Sequence, residues 1–269
     1  MDISIIIPAY NEENNIIPLC EEVILSLDRI EASYEIVLVD DGSNDSTFNA
    51  MSTVRKKYNN IKIVKFNKNY KKSAAYMAGI KNSCGNIIVT MDADLQDDPS
   101  EIQKMVDLIG EYDLVVGWKE NRVDTVSKIL PSKLFNWINK KLFGLNLKDN
   151  DSGFRAMTQE AARKLNLYGD LYRFIPALLA SKGYRITEVS VNHRPRNSGK
   201  SKYGYSRFLT GVLDIVTMKL ILDFTNRPSH LFGYMASGMI TIGVFSELIV
   251  VFYKVFLGHL FITHMPLMI

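Results

Sequence analysis

Three short apolar runs of the sequence are each followed at once by side chains that could do chemistry. They are Pro8, Tyr10 and Glu12 after the first run, Asp40 and Asp41 after the second, and Asp92, Asp94 and Gln96 after the third. An isolated pair of acids after a strand often only caps the next helix. Acids gathered from three strands repel one another unless a cation holds them, and oxygen ligands with one open side suit Mg²⁺ or Mn²⁺ bridging a diphosphate. The pattern therefore predicts a metal-diphosphate site.

The elements that must position these residues alternate regularly as far as Gly117. Apolar runs predict strands at Ser4–Ile7, Glu35–Val39, Ile61–Phe66, Asn86–Met91 and Leu114–Val116. Amphipathic stretches predict helices near Glu13–Ile30, Asp45–Lys57, Ser73–Lys81 and Pro99–Gly110. This alternation predicts an α/β fold with a mainly parallel sheet. Such sheets bind ligands beyond the carboxyl ends of their strands, so the acids are expected to meet at one edge.

The sequence after Gly117 is less regular. It predicts a helix at Val126–Phe143, a polar turn at Lys148–Gly153, a helix at Tyr172–Lys182 and a strand at Tyr184–Val191. A wide apolar face at Arg207–Phe224 predicts a helix lying at a membrane surface. We therefore expect a catalytic domain at 1–203, juxtamembrane helices at 204–228 and a transmembrane region at 229–269.

A candidate membrane span runs from Leu231 to Phe252. Its 22 residues carry Glu247 as their only charge. A helix of this length is long enough to cross a hydrocarbon core of about 30 Å. The alternative is a buried core helix, which Gly233, Gly238 and Gly243 disfavour because glycine is more frequent in membrane helices. The same glycines leave room for contact between copies of the chain. A further apolar run opening at Pro266 predicts the start of a second, truncated span.

Basic residues are concentrated just before the span. They are Arg194, Arg196, Lys200, Lys202, Arg207, Lys219 and Arg227. The positive-inside tendency places the large domain in the cytoplasm at the face of the cell membrane, in contact with membrane lipid. The net charge of +3 gives no reason to expect a nucleic-acid partner. Cys20 and Cys84 lack metal-ligand spacing and are expected to be reduced, and the N-terminus lacks the pattern of a cleaved signal peptide.

Four motifs in order carry a resemblance to a known family. They read IIIPAYNEE, VDDGSNDST, MDADLQDDP and DSGFR. The chain resembles the family 2 glycosyltransferases, which have the Rossmann-like GT-A fold. Further runs, DLQDDP, RFIP and GKSKY, are similar to the polyprenyl-phosphate sugar transferases, the group containing dolichol-phosphate mannose synthase and bacterial undecaprenyl-phosphate glucosyltransferases. The resemblance covers residues 2 to 235.

The resemblance implies roles for individual residues. It implies nucleotide-sugar binding by Pro8, Tyr10, Glu12, Asp40, Asp41, Asp92 and Lys119. Asp94 is implied as a catalytic metal ligand, with Asp92 and Gln96 as further ligands of Mg²⁺ or Mn²⁺. Asp98 has another interpretation, because an acid directly before Pro99 also caps a helix.

An acceptor-phosphate pocket is implied by Lys128, Ser132, Arg196 and Lys202, with Asp151 and Arg155 as catalytic residues. The alternative for Arg196 and Lys202 is a solvated basic face attracted to anionic lipids. Asp151 is either a base or an acid that only orients Arg155.

The chain departs from the family pattern at three places. The family has arginine and glycine where Lys68 and Lys71 stand, so the backbone requirement at Lys71 could differ. Lys119 and Lys128 replace arginines, and a lysine offers a point charge where arginine offers a planar fork.

The resemblance implies inverting transfer of a hexose from a UDP-glucose or GDP-mannose type donor to undecaprenyl or dolichyl phosphate. A second hypothesis is a processive transferase acting on a sugar hydroxyl, but the Q-x-x-R-W motif of such enzymes is missing from the sequence. A third is a noncatalytic membrane scaffold, which would have no reason to keep repelling acids together. Sugar identity and the choice of UDP or GDP stay open.

Overall fold

The computed structural model describes residues 1–119, 141, 144–194, 214–222 and 228–257. Its strands are β1 Ile3–Ala9, β2 Tyr34–Asp40, β3 Ile61–Lys65, β4 Ile87–Thr90, β5 Leu114–Lys119, β6 Arg155–Thr158 and β7 Ile186–Val191. Its helices in the same region are α1 Ile16–Leu27, α2 Thr47–Lys57, α3 Lys71–Asn82, α4 Ile102–Val106, α5 Gln159–Arg163 and α6 Ile175–Ala180. Short 3₁₀ turns at Pro99–Glu101 and Leu171–Phe174 lead into α4 and α6.

The seven strands form one sheet in the order β3-β2-β1-β4-β6-β5-β7. β1 pairs in parallel with β2 and β4, and β2 pairs in parallel with β3. Every residue of β1 is buried, as are the last six of β2, because helices cover both faces of a mainly parallel sheet. The predicted α/β architecture is confirmed, and each of the six predicted strands corresponds to an observed one.

The strand β6 was not among the predicted elements. It runs antiparallel to both β4 and β5, with Arg155 opposite Thr90 on one side and Val116 on the other. At four residues it is too short for its alternation to be distinguished from that of a loop. Because it runs against its neighbours, its first residue lies at the edge where the parallel strands end. The antiparallel strand therefore brings the DSGFR motif to the same edge as the acids.

Two predicted helices are shorter than expected. In place of one helix at Pro99–Gly110, a 3₁₀ turn precedes α4, which ends at Val106. The carboxylate of Asp98 accepts a hydrogen bond from the backbone N–H of Ser100 at 3.0 Å, so the capping interpretation of Asp98 is confirmed. The other predicted helix, Tyr172–Lys182, is a 3₁₀ turn followed by α6, in whose first turn Pro176 lies.

The C-terminal part contains a helical segment, α7, at residues 214–222 and a long helix, α8, at Pro228–Leu257. The described residues divide into two compact units, Met1–Met218 and Lys219–Ile269. Within α8, Phe232–Val255 forms a stretch of 24 residues with mean hydropathy 1.9 and no burial. By length and composition it can cross a membrane, in agreement with the predicted span. The predicted helix at Val126–Phe143 lies outside the described residues, apart from Lys141.

Left-handed backbone conformations follow each of the first four strands. Gly42 after β2 has φ +70°, and the non-glycine residues with positive φ in the described ranges are Asn11 (56°), Lys71 (70°) and Leu95 (62°). Asparagine tolerates this conformation, but it costs a longer side chain roughly 1–2 kcal/mol. Lys71 stands where the family carries glycine, so the backbone requirement there is kept although the residue has changed.

Replacing Lys71 by glycine is therefore expected to stabilise the protein. The gain from removing the strained side chain exceeds the entropy that glycine adds to the unfolded chain, leaving roughly 0.5 to 1 kcal/mol in the free energy of unfolding. Denaturant titration of the solubilised protein measures this. The control is Lys81→Gly in the last turn of the same helix, where φ is ordinary and glycine should destabilise. Equal destabilisation by both substitutions would contradict the strain.

Candidate active site

The carboxyl ends of β1 and β2 form one wall of the candidate site. Asp40 and Asp41 are buried, and the Asp40 carboxylate accepts a hydrogen bond from the backbone N–H of Ser43 at 2.9 Å. Its second oxygen, Oδ2, is buried and has no hydrogen-bond partner within the part of the chain that the structure describes. The Asp41 carboxylate accepts a hydrogen bond from the N–H of Tyr70 at 2.7 Å. A buried acceptor left over at this edge suits a ligand that donates a hydrogen bond.

Burial raises the pKa of Asp41, and the neighbouring Asp40 adds to the rise, although N–H groups of Tyr70 and Lys71 partly offset it. The loop that contains Gly42 is in close contact with the backbone of the loop after β3. A side chain on Gly42 would come within 2.2 Å of the Lys68 carbonyl carbon, so the loop after β3 packs directly on the loop after β2.

Pro8, Tyr10 and Glu12 lie beside this wall, at and just after the end of β1. Pro8 is buried within the strand, whereas Tyr10 and Glu12 are partly exposed. The backbone N–H of Glu12 donates to the Thr47 hydroxyl at 2.8 Å, and its carboxylate accepts from the Asn15 amide at 2.7 Å. These contacts orient the Glu12 side chain.

Asp92 lies two residues beyond β4 and forms a close ion pair. Lys72, the second residue of α3, places its Nζ 2.6 Å from Oδ1 of Asp92, and both side chains are a little under 30% exposed. The Tyr76 hydroxyl lies 3.4 Å from the same oxygen. Burial opposes ionisation of Asp92, but Lys72, Lys119 and Arg155 outweigh it and lower its pKa. Burial likewise opposes the charge on Lys72, yet Asp92, Tyr76 and Tyr172 raise its pKa well above the ordinary value.

Asp94 and Gln96 occupy a tight turn after Asp92. The backbone N–H of Gln96 lies 3.4 Å from Oδ1 of Asp94, and Leu95 between them has φ +62°. A buried leucine in this conformation stores strain, which proteins tolerate mainly at functional sites. A backbone hydrogen bond to a distant part of the chain also stabilises the turn: the carbonyl of Gln96 accepts from the N–H of Arg194 at 2.8 Å.

The residues present fit a small divalent cation that also binds a diphosphate. Mg²⁺ is held in such sites by one or two carboxylates together with substrate phosphates, and Asp92, Asp94 and Gln96 supply two carboxylates and an amide oxygen at one turn. Among the described residues no group of three or more acidic, histidine or cysteine side chains could hold a metal ion by itself.

Arg155 is the first residue of β6 and is fully buried. Its Nη2 donates to the carbonyl of Asn150 at 3.4 Å, whereas Nε and Nη1 have no hydrogen-bond partner among the described residues. It contributes to the low pKa of Asp92. Arg155 is therefore a buried charge that acts on Asp92 and does not offer its guanidinium to solvent.

Asp151, expected to act as a base or to orient Arg155, forms an ion pair with a different arginine. Nε of Arg173 lies 3.6 Å from Oδ1 of Asp151 and 3.5 Å from the Tyr172 hydroxyl. Two residues after Asp151, Gly153 lies close to Asp92: a methyl group there would meet the Asp92 carboxylate at 2.5 to 2.8 Å. The Thr90 hydroxyl donates to the carbonyl of Gly153 at 2.7 Å and locks the loop in place.

Lys119 ends β5 at the same edge and is close enough to lower the pKa of Asp92. The predicted acceptor-phosphate residues lie outside the described residues. They are Lys128, Ser132, Arg196 and Lys202.

Four residues of the site were not predicted as contributors from the sequence. They are Lys72, Tyr76, Tyr172 and Arg173. Lys72 directly follows the position where the chain departs from its family pattern, and Arg173 opens the RFIP run, so both stood within motifs. The tyrosines gave no signal, because an aromatic residue at helical spacing is more often part of a core.

The chain is similar along nearly its whole length to curated polyprenyl-phosphate transferases. It is 34% identical over 265 residues to dodecaprenyl-phosphate galacturonate synthase of Rhizobium johnstonii, covering 96% of this chain and 78% of that protein. It is 30% identical over 258 residues to undecaprenyl-phosphate 4-deoxy-4-formamido-L-arabinose transferase of Shewanella sediminis, covering 95% of this chain and 76% of that protein.

Solved structures share the fold at low identity. Mannosyl-3-phosphoglycerate synthase from Rubrobacter xylanophilus matches with a TM-score of 0.63 at 16% identity, over 82% of this chain and 74% of that one. Glucosyl-3-phosphoglycerate synthase from Mycobacterium tuberculosis, in complex with Mn²⁺, uridine-diphosphate-glucose and phosphoglyceric acid, matches with a TM-score of 0.59 at 19% identity, over 82% and 79%.

The family model named Glycosyl transferase family 2 matches residues 4–166, which contain β1 to β6 and all the acids of the site. The fold, the ordered motifs and the relatives that match along nearly the whole of this chain agree with that match. The protein is a member of glycosyl transferase family 2.

Proposed function

We propose that the protein transfers a sugar from a nucleotide-diphosphate donor to a polyprenyl phosphate at a membrane surface. The observation that carries the proposal is the gathering of Asp92 and Asp94 with three cations at one sheet edge. Lys72, Lys119 and Arg155 all act on Asp92 there. An edge that combines acids and cations suits a metal-bound diphosphate, and the names of both relatives supply the acceptor class.

The donor's two ends would contact different parts of the edge. Oδ2 of Asp40, which has no hydrogen-bond partner among the described residues, suits an N–H or O–H donor of the nucleoside. Asp92, Asp94 and Gln96 would hold Mg²⁺ or Mn²⁺, which when bound offsets the charge that develops on the departing diphosphate. The solved complex that contains Mn²⁺ and uridine-diphosphate-glucose has the same fold, which supports a divalent metal in general.

The acceptor phosphate needs little help from a general base. A phosphate monoester is largely ionised at pH 7, with its second pKa near 6, so the protein's task is to position two anions against each other. Arg173 is mostly buried next to Asp151, and its pKa is raised by that carboxylate against the opposing effect of burial. It can hold its charge beside an incoming phosphate while Asp151 keeps the guanidinium oriented. Arg196 and Lys202 are proposed to contribute further charge to the acceptor.

We infer a single displacement. An oxygen of the lipid phosphate forms a bond to the anomeric carbon, and the bond from that carbon to the diphosphate oxygen breaks. The nucleoside diphosphate leaves with the electron pair, and no proton needs to be removed from the ionised acceptor. Attack from the face opposite the leaving group inverts the configuration.

The membrane supplies the acceptor. The stretch Phe232–Val255 can span the bilayer by length and composition. From the basic residues ahead of it in the sequence and the positive-inside tendency, we infer that the catalytic domain lies on the cytoplasmic side of the cell membrane. A polyprenyl phosphate is anchored in that same surface, which confines both partners to one plane.

The sugar that is transferred can be identified with a panel of donors. The relatives are named for galacturonate and for 4-deoxy-4-formamido-L-arabinose, whereas the resemblance implied a UDP-glucose or GDP-mannose type donor and left the sugar open. The full-length protein in detergent should be incubated with undecaprenyl phosphate, Mn²⁺ or Mg²⁺, and nucleotide-activated galacturonate, formamido-arabinose, glucose and mannose. Formation of a lipid-phosphate sugar with one donor supports the proposal. Transfer to a sugar hydroxyl instead, or no transfer with the acids intact, contradicts it.

The configuration of the product provides a separate prediction. An α-linked donor is expected to give a β-linked polyprenyl-phosphate sugar, because a single displacement inverts the anomeric carbon. The coupling constant of the anomeric proton in the purified product measures this directly. A product that retains the donor's configuration would require two displacements and would exclude the proposed mechanism.

A further inference from the structure

Lys72 forms an ion pair with an acid of the candidate site. Its Nζ lies 2.6 Å from Oδ1 of Asp92, the carboxylate that is proposed to bind the metal. Nζ also lies 5.8 Å from the ring centroid of Tyr76 and 5.3 Å from that of Tyr172. The ammonium and a divalent metal ion would compete for the same carboxylate oxygen.

The location of Lys72 on its helix bears on how firmly its ammonium group is held next to Asp92. Lys72 is the second residue of α3, where the helix dipole disfavours a positive charge. Nothing in the helix itself therefore holds the ammonium at this place, and the attraction comes from Asp92 and the two tyrosines. The four-carbon stem of lysine is flexible and carries a compact charge, so Nζ can move to a nearby anion without a change in the backbone. The backbone itself is fixed, because the Ser73 hydroxyl accepts from the N–H of Tyr172 at 3.1 Å.

We propose that Lys72 is an exchangeable counter-cation, which neutralises Asp92 before the metal binds and moves to the diphosphate of the donor when the metal takes its place. The inference rests on the proposed function, since it needs a metal and a nucleotide donor at this edge. Without the metal, Lys72 is a positioning residue for Asp92. With the metal and the nucleotide donor bound, it contacts the diphosphate.

The consequence is that metal and nucleotide strengthen each other's binding. A metal ion alone must displace Lys72 from Asp92 and leave the ammonium without an anion. A nucleoside diphosphate gives Lys72 a new partner, so the metal binds more tightly in its presence. Because coupling between two ligands is reciprocal, the metal must raise the nucleotide's affinity by the same factor.

The test measures Mn²⁺ binding by the loss of the free-ion electron paramagnetic resonance signal, on the full-length protein in detergent, with and without UDP or GDP. Lys72→Met keeps the length of the side chain and removes its charge. We expect Lys72→Met to bind Mn²⁺ alone about fivefold more tightly than the parent, as for release of a partly exposed ion pair. In the same variant Mn²⁺ should increase nucleotide affinity by a smaller factor, and the nucleotide itself should bind about tenfold more weakly.

Two further variants complete the design. Lys72→Arg keeps a charge at this position and should keep the weak binding of Mn²⁺ alone. Lys81→Met removes an exposed lysine from the last turn of the same helix and should match the parent in every measurement. Thermal unfolding of all three variants shows whether Lys72→Met remains folded.

Each alternative has a distinct outcome. If Lys72→Met weakens nucleotide binding but leaves the affinity for Mn²⁺ alone unchanged, Lys72 is only a diphosphate contact and the exchange is wrong. Weaker binding of both ligands with a lower unfolding temperature would indicate a structural role and would also overturn it. If the parent binds no Mn²⁺ with either nucleotide, the metal site itself is contradicted and the proposed function fails in that part, independently of Lys72.

Discussion

Asp94→Asn is expected to lower turnover by roughly 10² to 10³-fold, the range found when one group that stabilises a developing negative charge is removed, because the variant loses a charged ligand of the metal. Asp94 lies in the strained turn at Leu95, and its carboxylate is partly exposed rather than packed in the core. The asparagine has nearly the same shape, so the turn should persist. The loss should therefore come from the missing charge on the metal rather than from unfolding.

The measurement is initial rate with saturating donor and acceptor, together with Mn²⁺ affinity and the unfolding temperature. The affinity for Mn²⁺ should fall while the unfolding temperature stays within a degree or two, since surface substitutions away from the core change stability little. Asp107→Asn is the control, because Asp107 is an exposed carboxylate directly after α4 and has no proposed role in the site. Parent-like turnover in Asp94→Asn would remove Asp94 from the metal site.

Gly153→Ala should reduce turnover by about a hundredfold, because displacing a reacting or metal-binding group by about 1 Å can have an effect of that size. A methyl group at residue 153 would lie 2.5 Å from Oδ1 of Asp92, well inside van der Waals contact. The loop cannot easily retreat, since its carbonyl is hydrogen-bonded to the Thr90 hydroxyl. Asp92 must therefore turn away, and its contact with Lys72 must change with it.

The effect of Gly153→Ala should appear in turnover and metal affinity more than in stability, because the clash is with the end of a side chain and not with backbone. Ser152→Ala is the control in the same loop: it removes a hydroxyl whose contact with the Phe154 carbonyl is long, at 3.5 Å, and adds nothing next to Asp92. A Gly153→Ala variant with parent-like turnover and Mn²⁺ affinity would show that Asp92 need not stay where the structure places it.

The outline of the site could be predicted from the sequence because of a geometric property of parallel sheets. Strand periodicity located β1, β2 and β4, and in a parallel sheet the carboxyl ends of neighbouring strands share one edge. Asp40 and Asp94 are more than fifty residues apart, yet this rule alone brings them to the same edge. The span of α8 was equally predictable, since its length and apolarity depend on no other part of the chain.

The partners of the charged residues could not be predicted in this way. Asp151 was expected to act either as a base or as an acid that orients Arg155, four residues away, and its carboxylate forms an ion pair with Arg173. Arg155 turned out to be fully buried because it begins β6, a strand too short to be identified from periodicity. The sequence shows that Arg155 can supply a positive charge. Whether its side chain is buried depends on which strands pair with β6, and the sequence pattern does not show that.

The sequence by itself determined the α/β sheet, the edge at which the acids meet and the helix that can span a membrane, because each follows from local periodicity and a general rule of packing. Only the tertiary structure decided that Lys72 neutralises Asp92, that Arg173 accompanies Asp151 and that Gly153 leaves room for the Asp92 carboxylate. Each of these contacts joins residues from different elements, so it depends on side-chain packing at distances of a few ångströms, which no spacing along the chain specifies.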